Sequence, residues 1–217
     1  MNLAKRLVVE ALGTALLLAT VVGSGIMGAR LAGGNVAIAL LANSLATGVV
    51  LIALIYIFGP MSGAHFNPAV TVSMAWRGGF TWNEVPAYCM VQCVGAIAGV
   101  VAAHVMFGEA LWQTSQHVRT GGEQWFSEFV ATFGLLAVIW GQGPVKAPFT
   151  IGLYIVGAYW FTSSTSFANP AVTIARSFTN TFAGIRLQDA PGFVVAQFGG
   201  ALAATALFAW LLREKKK

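Results

Sequence analysis

The sequence predicts an all-α membrane protein of six transmembrane helices plus two re-entrant half-helices, arranged as an inverted repeat. Three observations carry that prediction. Charged residues are 9% of the 217-residue chain, hydrophobic residues are 57% and the mean hydropathy is +0.75, whereas a soluble domain is about a quarter charged. Six apolar runs, at about residues 7–28, 36–58, 84–107, 125–143, 147–163 and 190–212, are long enough to cross a hydrocarbon core of about 30 Å. Between them one stretch occurs twice, as Ser62-Gly63-Ala64-His65-Phe66-Asn67-Pro68-Ala69-Val70-Thr71 and as Ser164-Thr165-Ser166-Phe167-Ala168-Asn169-Pro170-Ala171-Val172-Thr173.

Both copies read as helix starts. Asn is a favoured N-cap, and Pro after it costs nothing because its missing N–H would be unpaired there. Each copy then runs in mostly apolar residues to a break, at Arg77-Gly78-Gly79 in the first and around Thr179-Asn180 in the second. Roughly ten residues at ~1.5 Å each make a rod of about 15 Å, half the hydrocarbon thickness. Two such rods meeting at their N-termini form one spanning element entered from opposite sides. A broken backbone at membrane depth survives only where it is buried in protein or lines a watery cavity, so the duplicated Asn-Pro-Ala marks a pore or a site.

The remaining elements repeat in step. Glu10-Ala-Leu-Gly-Thr14 opens the first span and Glu128-Phe-Val-Ala-Thr132 the fourth, while Gln92-Cys-Val-Gly95 and Gln197-Phe-Gly-Gly200 occupy the third and sixth. A single integral membrane domain, 1–217, is therefore expected, with repeats at about 1–108 and 124–217. Three spans per repeat is an odd number, so the halves insert with opposite polarity. A carboxylate in a span costs about 2.5–3.5 kcal/mol on insertion scales, so Glu10 and Glu128 should face the interior and have partners. Two roles compete for them: proton-coupling groups of a secondary transporter, or structural acceptors for loop N–H groups beside the half-helices. Symmetric recurrence favours the structural role, with Gln92 and Gln197 serving the same loops. Gly95, Gly99, Gly199 and Gly200 let helices approach closely.

Other features exclude function classes. Lys5-Arg6 before an apolar run resembles a secretory signal, but the run is too long and carries Glu10. A net charge of +5 does not imply nucleic acid, because the cations sit at membrane edges. Lys5, Arg6, Arg77, Lys146, Arg213, Lys215, Lys216 and Lys217 fall on one side and Arg30, Arg119, Arg176 and Arg186 on the other, which predicts both termini cytoplasmic. Cys89 and Cys93, one turn apart, read as packing residues and not as a metal site. His65, beside the first motif, is a candidate for the pore vestibule; His104 and His117 have no such context, and 108–124 reads as an external loop. No nucleophile, acid–base pair, metal cluster or cofactor site is visible, so an enzyme is not expected.

The paired Asn67-Pro68-Ala69 and Asn169-Pro170-Ala171, the Gly63-Ala64-His65-Phe66 lead-in, and the paired Glu and Gln units resemble the aquaporin (major intrinsic protein) family over nearly the whole chain. The resemblance implies a pore through each subunit of a homotetramer in the cell inner (plasma) membrane. Asn67 and Asn169 would place amide donors at mid-channel. It also places a selectivity constriction at Thr47, Tyr159, Ser166 and Val172, with Gly157 or Ala158 as alternatives in the fifth span. Most members carry Arg where this chain has Val172, and Arg176 lies four residues later. Thr47 and Val172 replace the usual bulky aromatic and Arg, implying a wider and less charged filter. The stretch 169–185 looks like bacterial aquaporins associated with arsenic-resistance genes, implying neutral metalloid acids such as arsenite, or methylated arsenicals, as solutes. A water-selective channel, a glycerol-permeable channel and a proton-coupled transporter remain alternatives.

Overall fold

A computed structural model describes residues 1–143 and 146–212; Arg213, Lys215, Lys216 and Lys217, used above for orientation, lie outside the described residues. Those residues form eight α-helices: α1 Leu3–Leu31, α2 Val36–Ser62, α3 Pro68–Trp76, α4 Val85–Phe107, α5 Gly122–Trp140, α6 Ala147–Phe161, α7 Pro170–Arg176 and α8 Ala190–Leu211, with one 3-10 turn, Trp82–Glu84, leading into α4. Four helical segments, α1, α2, α8 and the stretch from Trp82 through α4, are long and apolar enough to cross a membrane. Of the other two expected spans, α5 carries Glu123 and Glu128 in its 19 residues. α6 has 15 residues, a rod of about 22 Å.

The half-helices end differently. α3 stops where expected, because Gly78 takes a positive φ of 76° and the N–H of Gly79 returns to the carbonyl of Met74, a glycine-dependent stop. α7 is shorter than expected and ends at Arg176, not near Thr179-Asn180. Segments from outside α7 take over the polar groups that a longer helix would use. The N–H groups of Ile185 and Ser115 bond the carbonyls of Arg176 and Ser177. Thr179 is held by His104 at 2.8 Å, and the Asn180 side chain accepts the N–H of Gln116 at 2.9 Å.

Packing repeats with the sequence. α1 packs on α4 and α2, α5 packs on α8 and α6, and α2 against α6 joins the two sets. Gly95 and Gly99 of α4 lie directly on the carbonyls of Ala11 and Ala15, and Gly200 of α8 lies on that of Phe129; a side chain at any of the three would overlap backbone. Gly199 meets only the Phe129 ring, at an ordinary 3.5 Å. The half-helices exchange cores. Ala69 and Val70 of α3 pack among residues of α5, α6 and α8, while Ala171, Val172 and Ala175 of α7 pack among residues of α1, α2 and α4.

Both described chain ends share one face. There Arg6 pairs with Glu84 at 2.6 Å, and Arg77 stacks on Trp140, whose Nε1–H donates to Thr205 near the end of α8. The opposite face carries the Arg30–Glu109 pair and the segment joining α4 to α5. Gly200→Val should force α5 and α8 apart and lower the thermal unfolding temperature in detergent by several degrees. The neighbouring Gly199→Ala should leave it nearly unchanged.

Candidate pore

The residues preceding each Asn carry the backbone through a tight reversal that most side chains disfavour. Ala64 and Phe66 have φ of 49° and 49°, and their counterparts Ser166 and Ala168 have 49° and 50°. Non-glycine residues in this region cost of order 1–3 kcal/mol each and persist only when the surroundings hold them. The buried carboxylates supply that hold. Glu10 accepts the N–H of His65 at 3.0 Å and of Phe66 at 2.7 Å, the Ser62 hydroxyl at 2.6 Å and the Gln92 amide at 2.9 Å. Glu128 accepts the N–H of Phe167 and of Ala168, both at 2.8 Å, and the Gln197 amide at 2.6 Å. Each Gln also donates to the Thr of its own half-helix, Gln92 to Thr71 and Gln197 to Thr173.

The two Asn side chains cap their helices and reach across the break. The Asn67 oxygen accepts from Ala69 N–H, and the Asn169 oxygen from Ala171 and Val172 N–H. Asn67 Nδ2 donates to the Ala168 carbonyl at 2.7 Å and Asn169 Nδ2 to the Phe66 carbonyl at 2.8 Å. A primary amide has two N–H donors, so one hydrogen of each Asn ties the opposite loop and one is left. Pro68, Ala69, Pro170 and Ala171 are buried in the two first turns behind these caps.

A narrow cavity of about 80 Å³ runs past this junction; a water needs about 10–15 Å³ on this measure, so it holds a short file. Its walls are helix stripes with a four-residue step: Thr47, Leu51 and Ile55 of α2, Ile151, Ile155 and Tyr159 of α6, and Val172 and Arg176 of α7. Asn169, Ser166 and the loop residues Ala64 to Phe66 line it too. The four residues expected at the constriction thus share one wall system, and the Tyr159 hydroxyl lies 3.4 Å from that of Thr47. Tyr159, not Gly157 or Ala158, is the lining residue at that end of α6. His65 stands where this cavity meets a wider funnel of about 710 Å³. Its Nδ1 is 3.1 Å from the Thr71 hydroxyl, itself 3.1 Å from the Asn67 carbonyl, so Nδ1 is engaged by the half-helix and Nε2 is the other ring nitrogen.

Two arginines that the sequence counts as edge charges, Arg176 also as lying four residues after Val172, come to the cavity or its neighbourhood. Arg176 is 2% exposed, lines the cavity, and donates Nε–H to the Ala183 carbonyl. Its place on the wall follows from the four-residue step after Val172. Arg119, from the segment between α4 and α5, donates to the carbonyls of Gly184 at 2.8 Å and Ser164 at 3.2 Å. No local pattern in the sequence announces that reach.

An apolar bundle pierced by a narrow cavity, with two capped half-helices meeting at its middle, defines a membrane channel. The chain belongs to the major intrinsic protein family, a family of passive channels and not of enzymes; the family model matches residues 1–155. It is 54% identical to the aquaglyceroporin AqpS of Rhizobium meliloti over 99% of this chain and 93% of that protein. It is 31% identical to a probable aquaporin, AqpM, of Archaeoglobus fulgidus over 99% of both. Among solved structures the aquaglyceroporin from Plasmodium falciparum shares the fold with a TM-score of 0.72 at 21% identity, over 95% of this chain and 96% of that one.

Glu128→Gln replaces an acceptor oxygen with a donor facing donors. The expected loss is about 1.5–3 kcal/mol for each hydrogen bond to charge removed, read by thermal unfolding in detergent, with Gln197→Leu losing less. Replacing both Asn67 and Asn169 with Leu should remove the midplane donors and untie the loops. Water flux in proteoliposomes reads the effect, and undiminished flux in a folded double variant would remove both residues from the conducting path.

Proposed function

We propose that the protein conducts water and small neutral solutes, glycerol and metalloid acids such as arsenite or methylated arsenicals among them, through a pore in each subunit of a homotetramer. The setting is the cell inner (plasma) membrane, with both termini cytoplasmic. The observation that carries this reading is the shared cavity wall of Thr47, Tyr159, Ser166 and Val172, in which an aliphatic side chain stands where the family resemblance calls for Arg. A guanidinium reaches several ångströms into a pore and presents a rigid fork of donors. Val presents a short apolar wall and leaves room for a molecule with more heavy atoms than water.

The path needs no covalent step. A solute entering from the funnel passes His65, whose Nε2 offers one polar contact, and reaches the free amide hydrogens of Asn67 and Asn169. There a water or hydroxyl oxygen accepts, and Leu51 and Ile55 of α2 with Ile151 and Ile155 of α6 offer no competing group. The carboxylates of Glu10 and Glu128 are occupied by loop donors, which favours a structural role over proton coupling. The likeness to a protein named aquaglyceroporin over nearly the whole chain supports solutes beyond water. The cations at the ends of the spans support the orientation.

Stopped-flow light scattering on proteoliposomes tests the proposal by comparing water, glycerol and arsenite. Native protein is expected to pass all three. Val172→Arg should lower glycerol and arsenite flux relative to water flux by roughly an order of magnitude, the factor supplied by ~1.4 kcal/mol in a barrier. Native protein that passes water alone, or a variant that slows all three equally, would place selectivity away from position 172.

A further inference from the structure

We propose that Arg176 and Ser166, reinforced by Arg119, form an outer subsite one helical turn beyond Val172 that holds a small oxyacid by its oxygens, most tightly as a monoanion. This rests on reading the cavity as the conducting pore, and it adds a charged station that the constriction at position 172 does not contain. The first observation is an unpartnered cation. Arg176 is 2% exposed and lines the cavity; its Nε–H is used by the Ala183 carbonyl and the guanidinium carbon lies 3.4 Å from the Phe167 ring centroid. Its Nη1 is buried with no hydrogen-bond partner. The second is independent of the first. The Ser166 hydroxyl, in a residue also 2% exposed and also lining the cavity, is likewise buried without a partner.

The surrounding charges leave this site positive. Arg119 sets its guanidinium 5.1 Å from the centroid of the same Phe167 ring. Ion pairs among the described residues join Arg6 to Glu84, Arg30 to Glu109 and Arg186 to Asp189, and none involves Arg119 or Arg176. The nearby carboxylates do not cancel both arginines, since Asp189 is balanced by Arg186 and Glu128 sets one negative charge against two positive ones. Asp189 takes two donors of Arg186, both at 3.0 Å, and the backbone N–H of Arg119 at 2.9 Å, while Glu128 holds the loop N–H groups. Burial, and then the two arginines, push the His117 imidazole below its usual range, so it adds no charge at neutral pH. A buried charge that is only partly balanced is expensive, and a guanidinium presents its donors as a fork that matches two oxygens of one planar or tetrahedral acid. The missing acceptors come from what fills the cavity, and two oxygens carried on one atom match the fork better than separate waters. In so narrow a cavity, that is an acid with one central atom and few substituents.

Nitrate serves as the probe, with chloride and thiocyanate as monoanions that carry no oxygen. In proteoliposomes of the full chain at constant ionic strength, nitrate is expected to lower water flux saturably where the other two do not. In detergent, it should raise the unfolding temperature relative to chloride, which is the milder of the two salts towards folded proteins in general. Arg176→Lys keeps the charge and loses the fork, and Ser166→Ala loses one donor; each should weaken both nitrate effects, Arg176→Lys by roughly tenfold, against its own nitrate-free baseline. Nitrate acting no differently from chloride and thiocyanate on native protein would overturn the subsite, as would undiminished nitrate effects in both variants. If Arg176→Lys does not fold, Ser166→Ala and Arg119→Gln carry the same comparison. The unfolding readout does not depend on conduction, so native protein that binds nitrate yet passes no water would overturn the proposed function and leave the subsite standing.

Discussion

Every polar backbone group at membrane depth needs a partner, and the two interrupted helices violate that demand unless something inside the bundle supplies one. Unpaired polar groups in hydrocarbon cost several kcal/mol each. Glu10 and Glu128 meet the demand with four oxygens that accept seven donors between them, four of them loop N–H groups. The carboxylates therefore have to be buried, and the glycines of α4 and α8 then have to let those helices close in around them. The left-handed conformations at Ala64, Phe66, Ser166 and Ala168 persist because the same donors pin them. Strain, carboxylate and close helix packing are three aspects of one constraint.

The inverted repeat turns two weak elements into one strong one. A helix of seven or nine residues has little stability by itself, because nucleation is costly and few hydrogen bonds follow it. Here α3 buries Ala69 and Val70 in the core of the second half and α7 buries Ala171, Val172 and Ala175 in that of the first. Each half-helix is thus stabilised by both halves, by apolar packing in the other and by the Gln–Thr bond and α4 or α8 in its own. The reciprocal amide bonds from Asn67 to Ala168 and from Asn169 to Phe66 fasten the two tips at the point where the cavity passes. Neither half can form its share of the pore alone.

What was legible in the sequence was whatever repeats or follows a period. The apolar runs, the doubled Asn-Pro-Ala and the paired Glu and Gln residues were all visible because each recurs with its neighbours in order. The length of α7 was not legible, since its last carbonyls are taken by Ser115, from the linker between α4 and α5, and by Ile185, from a loop that folds back on the helix end. The crossed Asn bonds were missed for a similar reason. A cap motif predicts which N–H the Asn oxygen accepts, but not which carbonyl on another loop its amide meets. Arg176 was half legible, because four residues after Val172 is the same helix face. Arg119 was not, because its position depends on how an aperiodic linker folds over Phe167.

Charge and width are separable at the outer end of the cavity. At position 172 one side chain would set both, since an Arg there narrows the path and charges it together. This chain has a short aliphatic residue at that level and a guanidinium one turn away, held against Phe167 and the Ala183 carbonyl with its fork not fully used. A stacked and bonded guanidinium projects less than one extended across a lumen, so under the proposed reading Val172, Thr47 and Tyr159 would set the width while Arg176 and Arg119 would set the potential. Two cations at that level raise the barrier to a third, and a neutral molecule with several oxygens pays no such penalty and gains a donor. An opening wide enough for a small acid can in this way remain closed to cations of the same size.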